Sequence, residues 1–198
     1  MHEITVNEMK AILKIFKDFK TRYNANNLGK KLDLTSMGTL KILRRLYQKN
    51  ILKLEELGKA KYYSINYDNP FAIDYIVFLL QKEANESLPR VKRWLNEAKK
   101  IENISEMGIL FGSVLRTEKY KDVDLVLIFN KRNNNKIKKQ IKDLNMINIK
   151  QIHPVKQTPK DFQNNIAKED KVILESIKKG ILAFGFRKYV EVIKNYSR

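Results

Sequence analysis

Two acidic residues separated by one position, Asp122 and Asp124, are the strongest chemical signal in the sequence. They open the apolar run DVDLVLIF, 122–129, which reads as a β-strand. Side chains alternate along a strand, so both carboxylates point the same way, about 7 Å apart along it. Carboxylate oxygens and phosphate oxygens are ligands that Mg²⁺ accepts. The pair is therefore predicted to hold one or two Mg²⁺ ions together with a phosphate compound.

A turn of small residues precedes this strand. The segment 107–111, MGILF, reads as another strand, and Gly112-Ser113 follow it at the start of a short helix. Small residues let a phosphate approach the backbone closely, and N–H groups at the beginning of a helix are placed to donate to it. The alternative is a pair of strand-end aspartates beside a turn without a chemical role.

The spacing of these residues resembles the signature of the polymerase-β-like nucleotidyltransferase superfamily, which includes the minimal nucleotidyltransferases of bacteria and archaea. The matching features are Gly-Ser, eight intervening residues and Asp-x-Asp, with apolar residues on both sides. The likeness covers about 105–190. It implies an α+β fold in which a nucleotidyltransferase-like domain, 105–198, has a mixed sheet flanked by helices.

The resemblance also implies roles for single residues. Asp122 and Asp124 would be the catalytic residues and would bind Mg²⁺. Gly112 and Ser113 would cradle the phosphates of ATP or another NTP, and Arg116 would contact the terminal phosphates. The implied reaction transfers a nucleotidyl group, expected to be AMP, to a hydroxyl on a protein or an RNA. An antitoxin-like role, in which a partner toxin is modified, is implied as well.

The sequence departs from the family pattern at several positions. The family usually has glycine where Thr117 stands and often serine where Lys121 stands. A third carboxylate is expected on the next strand, but the candidate strand, 146–155, contains no Asp or Glu. Asp143 and Asp161 flank it, and neither fits well. Because the third carboxylate helps hold the ion that activates the attacking hydroxyl, a degenerate domain that binds nucleotide without activity stays open.

Other polar residues follow the motif. His153 precedes Pro154 near the predicted strand end, and an ordinary strand-end role is favoured over a general base. Residues 131–160 contain nine Lys or Arg and a single acid, Asp143. This stretch could gather triphosphate, tRNA or DNA, or it could be a solvated helix face. Its beginning, 131–136, is predicted to be an exposed loop.

The N-terminal third has a different pattern. Apolar residues at helical spacing predict a first helix with Asn7 as its N-cap, and Gly58-Lys59 predict the turn of a β-hairpin. The order helix, helix, helix and hairpin resembles a winged helix-turn-helix over about residues 5–67, which sets a first domain of 1–68. The predicted elements are helices 7–20, 25–32 and 37–50, then strands 51–57 and 60–66.

The charge of this segment favours double-stranded DNA as its ligand. Residues 20–49 contain eight Lys or Arg and one acid, Asp33. A recognition helix needs cations toward phosphates and polar groups toward bases. A winged helix used only for protein contacts or dimerisation is the alternative. The predicted DNA-binding residues are Lys41, Arg45, Gln48, Lys49, Lys59 and Lys61.

Residues 69–104 are predicted to be a helical connector. Pro70 opens a first helix that runs to residue 84, and Pro89 opens a second in which Trp94 is expected to be a packing residue. The first helix has a wide apolar face that must pack on the second domain or on a partner subunit in a homodimer. That face is predicted from Ile73, Ile76, Val77 and Leu80.

Composition sets the outer limits. The 198 residues carry a net charge of +18, which favours an anionic partner such as nucleic acid or a nucleoside triphosphate. The absence of cysteine excludes disulfides and thiolate metal sites. No membrane span is expected, because the most apolar stretch, 71–80, is too short and contains Asp74. A cytoplasmic location is the expectation.

Overall fold

The computed structural model describes residues 4–197. The chain divides into two compact units. One runs to Leu79 and includes the last residues from Ile193, and the other is Leu80–Val192. The division falls inside the helix Pro70–Glu86, whereas the sequence predicted a separate connector over 69–104. No helix among the described residues is long and apolar enough to cross a membrane.

The N-terminal unit contains the predicted three helices and the predicted hairpin. The two strands pair antiparallel, and Gly58 takes a φ of 60° at their turn, a conformation that favours glycine. The helix that begins next continues past the division between the units. The elements are α1 (Val6–Lys17), α2 (Ala25–Leu32), α3 (Ser36–Gln48), β1 (Leu52–Leu57), β2 (Ala60–Ile65) and α4 (Pro70–Glu86).

The N-cap of helix α1 lies two residues earlier than predicted. Thr5, not Asn7, is its N-cap. The backbone N–H of Glu8 donates to the Thr5 hydroxyl at 3.3 Å, and the Thr5 N–H donates to the Glu8 carboxylate at 2.7 Å. This reciprocal arrangement satisfies two N–H groups at once, which explains why the cap lies at Thr5.

The apolar face of α4 also differs from the prediction. Ile73 and Val77 are only half-buried, while Phe71 and Phe78 are exposed. The predicted positions and the observed ones both fit helical spacing, so periodicity alone does not choose between the two faces. The buried side chains are Ala72, Ile76, Leu79 and Leu80.

The C-terminal unit is built on a four-stranded mixed sheet. Its strand order is β5-β4-β3-β6, in which β4 and β5 run parallel and the other pairs antiparallel. Helices flank the sheet, as the α+β prediction required. The elements are α5 (Pro89–Lys99), β3 (Met107–Phe111), β4 (Val123–Ile128), α6 (Asn134–Ile147), β5 (Ile152–Gln157), α7 (Pro159–Ala167), α8 (Lys171–Lys179), β6 (Ile181–Phe184) and α9 (Phe186–Lys194).

Helix α5 is part of the core of this unit. Its buried residues cluster with one face of the sheet and with α6. Trp94 is 1% exposed, and its indole N–H donates to the Tyr120 hydroxyl at 2.8 Å. The prediction that Trp94 is a packing residue is therefore confirmed. The α5 residues in this core are Val91, Trp94, Leu95 and Ala98.

Two sequence predictions around α6 are wrong. Residues 131–136 do not form a loop, because a 3₁₀ turn, Lys131–Asn133, leads directly into α6 at Asn134. The predicted strand 146–155 begins only at Ile152, because α6 continues to Ile147. Both errors have the same cause. Ile137, Ile141 and Leu144 recur at helical spacing and are buried on the sheet side, so this part of the chain forms a helix.

Candidate active site

The antiparallel pairing of β3 and β4 brings the two halves of the motif together. Phe111 pairs with Asp124, so the Gly112 turn lies beside the Asp124 carboxylate. Gly112 has a φ of 83°. A Cβ at this position would overlap Oδ2 of Asp124 and lie 3.0 Å from its Cγ. Glycine is therefore required here both for its backbone conformation and for close contact with the acid.

Ser113 begins a very short element. The predicted helix after the turn is a single 3₁₀ turn, Ser113–Leu115. The Ser113 carbonyl accepts the N–H groups of Arg116 at 2.9 Å and of Thr117 at 3.0 Å. The turn is thus fixed by its own backbone hydrogen bonds. Any phosphate binding here would depend on individual N–H groups, because so short an element has a small dipole.

Arg116 lies exposed at the end of this turn. It is close enough to Glu175 of α8 for its charge to contribute to the lowered pKa of that carboxylate, although the hydrogen bond from Lys179 is the largest cause. The Lys179 ammonium lies 2.8 Å from the Glu175 carboxylate. Arg116 is therefore on the α8 side of the turn, with solvent around it.

The two aspartates lie next to each other at the beginning of β4. Asp122 directly precedes the strand, Asp124 is its second residue, and both are partly buried. The pKa of Asp124 is raised above its ordinary value, first because burial disfavours its charge and second because the charge of Asp122 is near. The two carboxylates are therefore close enough for their charges to interact.

His153 completes the group from the neighbouring strand. In the parallel register of β4 and β5, His153 stands opposite Asp124, and its Nδ1 lies 3.2 Å from Oδ2 of Asp122. Its side chain is 61% exposed. An ordinary strand-end role was predicted for His153, but the structure brings it to the acids. One indication that His153 belongs to the site was present in the sequence. The family pattern places the third carboxylate on this neighbouring strand.

The remaining acids near the motif lie elsewhere. Asp143 is exposed on α6. Asp161 caps the start of α7, and hydrogen bonds from Thr158 lower its pKa. No group of three His, Asp or Glu side chains within residues 4–197 is arranged to hold a metal ion. Asp143 and Asp161 are therefore not part of such a group among the described residues.

The residues present nevertheless suit a divalent cation. Across the described part of the chain, no lysine or arginine forms a salt bridge with Asp122 or Asp124. A cation between them would offset the negative charge of Asp122, which after burial is the second cause of the raised pKa of Asp124. With two protein carboxylates, the other ligands of Mg²⁺ would be phosphate oxygens and water, a common arrangement for this ion.

In the N-terminal unit, several predicted DNA-binding cations face carboxylates. Arg45 Nε lies 3.0 Å from Oε1 of Glu8, and Lys49 Nζ lies 3.8 Å from its Oε2. Glu8 is 1% exposed. Lys61 pairs with Glu56 on the hairpin at 2.9 Å. The sequence analysis did not identify Glu8, although its position three residues after Thr5 is the signal of a capping box.

Other predicted DNA-binding residues lie on the surface. Lys41, Gln48 and Lys59 are exposed. Arg44, which the sequence analysis did not select, is also exposed on α3. An open groove beside α3 has Lys41, Arg44 and Arg45 among its lining residues, together with Thr35 and Gly38. The structure therefore gathers three cations at one groove of this unit.

Comparison with known proteins finds a family match for part of the C-terminal unit. Residues 90–179 match the family described as Polymerase beta, Nucleotidyltransferase. This match supports the placement of that segment in the polymerase-β-like nucleotidyltransferase superfamily. The match begins earlier than the predicted 105 and ends at 179, before the predicted 190. It includes nearly all of α5, in agreement with the position of that helix in the core. No curated protein and no solved structure matches the chain.

Proposed function

We propose that the unit Leu80–Val192 transfers a nucleotidyl group, specifically AMP from ATP, to a hydroxyl on a protein or RNA acceptor. The observation that carries the proposal is the packing of the Gly112 turn against Asp124, with Asp122 beside it. The family match covers residues 90–179 of this unit, which include the turn and both aspartates. An antitoxin-like role, in which the acceptor is a partner toxin, is the specific form that the family resemblance suggests.

In the proposed reaction, the acceptor oxygen attacks the α-phosphorus of the triphosphate. A new O–P bond forms, the bond to the bridging oxygen of the β-phosphate breaks, and pyrophosphate leaves while the hydroxyl proton passes to solvent. Asp122 and Asp124 would hold Mg²⁺, which when bound supplies positive charge to the phosphates. Gly112 and Ser113 admit the phosphates close to the backbone, and Arg116 offers charge to the terminal ones.

Label transfer tests this proposal. The protein is incubated with Mg²⁺ and ATP labelled on the α-phosphate, together with tyrosine-containing peptides and RNA oligonucleotides. We expect labelled product from wild type and none from the double variant Asp122→Asn/Asp124→Asn. The matched control is Asp143→Asn, which removes an exposed acid of the same unit. Equal labelling by wild type and the double variant would contradict the proposal.

A nucleotide-binding but inactive domain is the alternative reading of the same site. It is favoured by the lack of an acid on β5, where His153 stands opposite Asp124. It predicts that wild type binds ATP in a manner that depends on Mg²⁺ and on both aspartates, without any label transfer. Calorimetric titration with a non-hydrolysable ATP analogue, run beside the transfer assay, separates the two readings.

For the N-terminal unit, we propose a winged helix-turn-helix that binds duplex DNA. The supporting observation is the order of three helices and an antiparallel hairpin, with a groove lined by Lys41, Arg44 and Arg45. Helix α3 would enter the major groove and the hairpin would contact the backbone. Together with the enzymatic proposal, this describes a protein that could bind its own regulatory DNA.

The salt dependence of duplex binding tests this second proposal. Replacement of a phosphate-contacting cation weakens binding and flattens the dependence on salt. We expect Lys41→Glu and Lys59→Glu to have this effect in fluorescence anisotropy titrations. Lys10→Glu is the control, because Lys10 is exposed on α1, outside the predicted interface. If Lys10→Glu weakens binding as much as the other two, the recognition surface is wrongly assigned.

A further inference from the structure

The three most exposed large apolar side chains of the described residues lie within four positions of one another. Met146 is 76% exposed, Ile147 is 71% exposed and Ile149 is 92% exposed. Single exposed apolar residues are ordinary on protein surfaces, but a contiguous cluster marks a place where another molecule binds. The segment Met146–Ile149 is called the apolar rim below.

The apolar rim is held firmly by the residue in its middle. Asn148 is 9% exposed, and its amide donates to the Leu144 carbonyl at 2.9 Å and to the Glu97 carboxylate at 3.2 Å. Its carbonyl accepts a bond from Arg93 at 3.3 Å. The apolar side chains around Asn148 are therefore directed to solvent by a fixed backbone, which favours a preformed binding surface.

A second asparagine joins the apolar rim to β5. Asn145 accepts the N–H of Ile152 at 2.8 Å and donates to the Ile152 carbonyl at 3.2 Å. Ile152 is opposite Val123 in the parallel register, and the next residue is His153. The Val123 N–H, between the two aspartates, donates to the Gln151 carbonyl at 2.9 Å. The apolar rim therefore continues directly into the strand that borders the candidate site.

The chemistry of the rim favours protein over nucleic acid. Aliphatic side chains do not offer the flat faces on which bases stack, whereas they do bury apolar protein surface. The charge of the surrounding segment is positive on balance, since residues 136–150 contain five lysines and one acid, Asp143. A partner that covers this region should thus combine apolar residues with acidic ones.

We propose that the apolar rim is the docking site for the acceptor of the reaction, a protein segment with apolar residues bordered by acidic ones. Docking there would bring a hydroxyl of that segment to the carboxylates at the start of β4. The claim that the docked segment is the acceptor rests on the proposed nucleotidyl transfer. Binding at the apolar rim is tested separately.

The test uses a fluorescein-labelled peptide in which leucine alternates with glutamate around one central tyrosine. Binding is measured by anisotropy for wild type, for Met146→Ser/Ile147→Ser/Ile149→Ser, and for the control Leu88→Ser/Val172→Ser. The control residues are 51% and 47% exposed, so the control removes apolar surface elsewhere. We expect the rim variant to bind at least about tenfold more weakly, and the control to bind like wild type. Unchanged tryptophan fluorescence verifies that the rim variant is folded.

Three outcomes would overturn the inference. The first is equal binding of the peptide by the rim variant and wild type. The second is a loss of affinity of the rim variant for a single-stranded RNA oligonucleotide, and the third is a loss of affinity for phosphatidylcholine–phosphatidylserine vesicles instead. Label transfer to the tyrosine separates the two proposals. Equal labelling by wild type and the rim variant would contradict docking at the apolar rim and support the transferase proposal. Binding that depends on the rim, without labelling, would support docking and contradict the transferase proposal.

Discussion

Gly112 and Asp124 are in such close contact that no side chain fits between them. The Cβ of any residue at position 112 would lie 3.0 Å from Cγ and 3.2 Å from Cβ of Asp124, and would overlap one carboxylate oxygen. The glycine of the turn and the second acid of the strand thus form a single structural unit. The family signature is in this sense a packing requirement as well as a chemical one.

Gly112→Ala should therefore disturb the site through Asp124. We expect a loss of stability of about 1–3 kcal/mol, from the positive φ and the overlap together, and loss of label transfer. Gly58→Ala is the matched control, because Gly58 also has positive φ but nothing lies within 4 Å of its Cβ position. Denaturant unfolding measures both. A Gly112→Ala protein as stable and active as Gly58→Ala would contradict this account.

The raised pKa of Asp124 makes a prediction about pH. A carboxyl whose folded pKa lies above its unfolded value contributes stability that is present below the unfolded pKa, and that contribution is lost as pH rises through the folded pKa. Without divalent cations, Asp124→Asn should consequently raise the melting temperature at neutral pH and have no effect below about pH 3.8. Asp143→Asn is the control, and thermal unfolding in chelator is the measurement. A lower melting temperature for Asp124→Asn at neutral pH would show that the charge on Asp124 does not destabilise the folded protein.

The position of His153 predicts a gain of function. Because His153 stands opposite Asp124 and beside Asp122, His153→Asp should add the missing acid. We expect Mg²⁺ to bind about tenfold more tightly, with a rise in label transfer. His153→Asn has nearly the same shape without the charge and serves as the control. Calorimetric titration with Mg²⁺ measures the effect, and equal affinities for the two variants would show that this position does not face the cation.

The buried Glu8 carboxylate predicts a link between stability and DNA binding. Glu8→Gln keeps a group that can accept the Thr5 N–H but removes the charge that faces Arg45 and Lys49. We expect stability to fall by about 1–3 kcal/mol. Duplex affinity should rise with a steeper salt dependence, because two cations become available to phosphates. Glu55→Gln, an exposed change in the same unit, is the control. A fall in duplex affinity would show that Glu8 holds Arg45 in its binding position.

Much of the architecture could be predicted because it depends on local pattern. Helical spacing and the Gly58 turn are encoded within a few positions, and the three N-terminal helices and the hairpin begin and end within three residues of their predicted bounds. The errors have local causes too. The face of α4 was predicted correctly at Ile76 and Leu80 but not at Ile73 and Val77, because neighbouring positions fit the helical period equally well. The strand before Ile152 was wrong because α6 continues to Ile147.

The acidic pair and the turn before it could be recognised without the structure. Asp122 and Asp124 share a side because alternation along a strand is a local property, and Gly112 and Ser113 are small residues by type alone. Tertiary structure alone decided which groups meet them. His153 reaches Asp122 through the register of β5 on β4, and Glu8 reaches Arg45 through the packing of α1 on α3. Such contacts join residues far apart in the chain, and their geometry is fixed by the burial of the whole core rather than by any short run of residues.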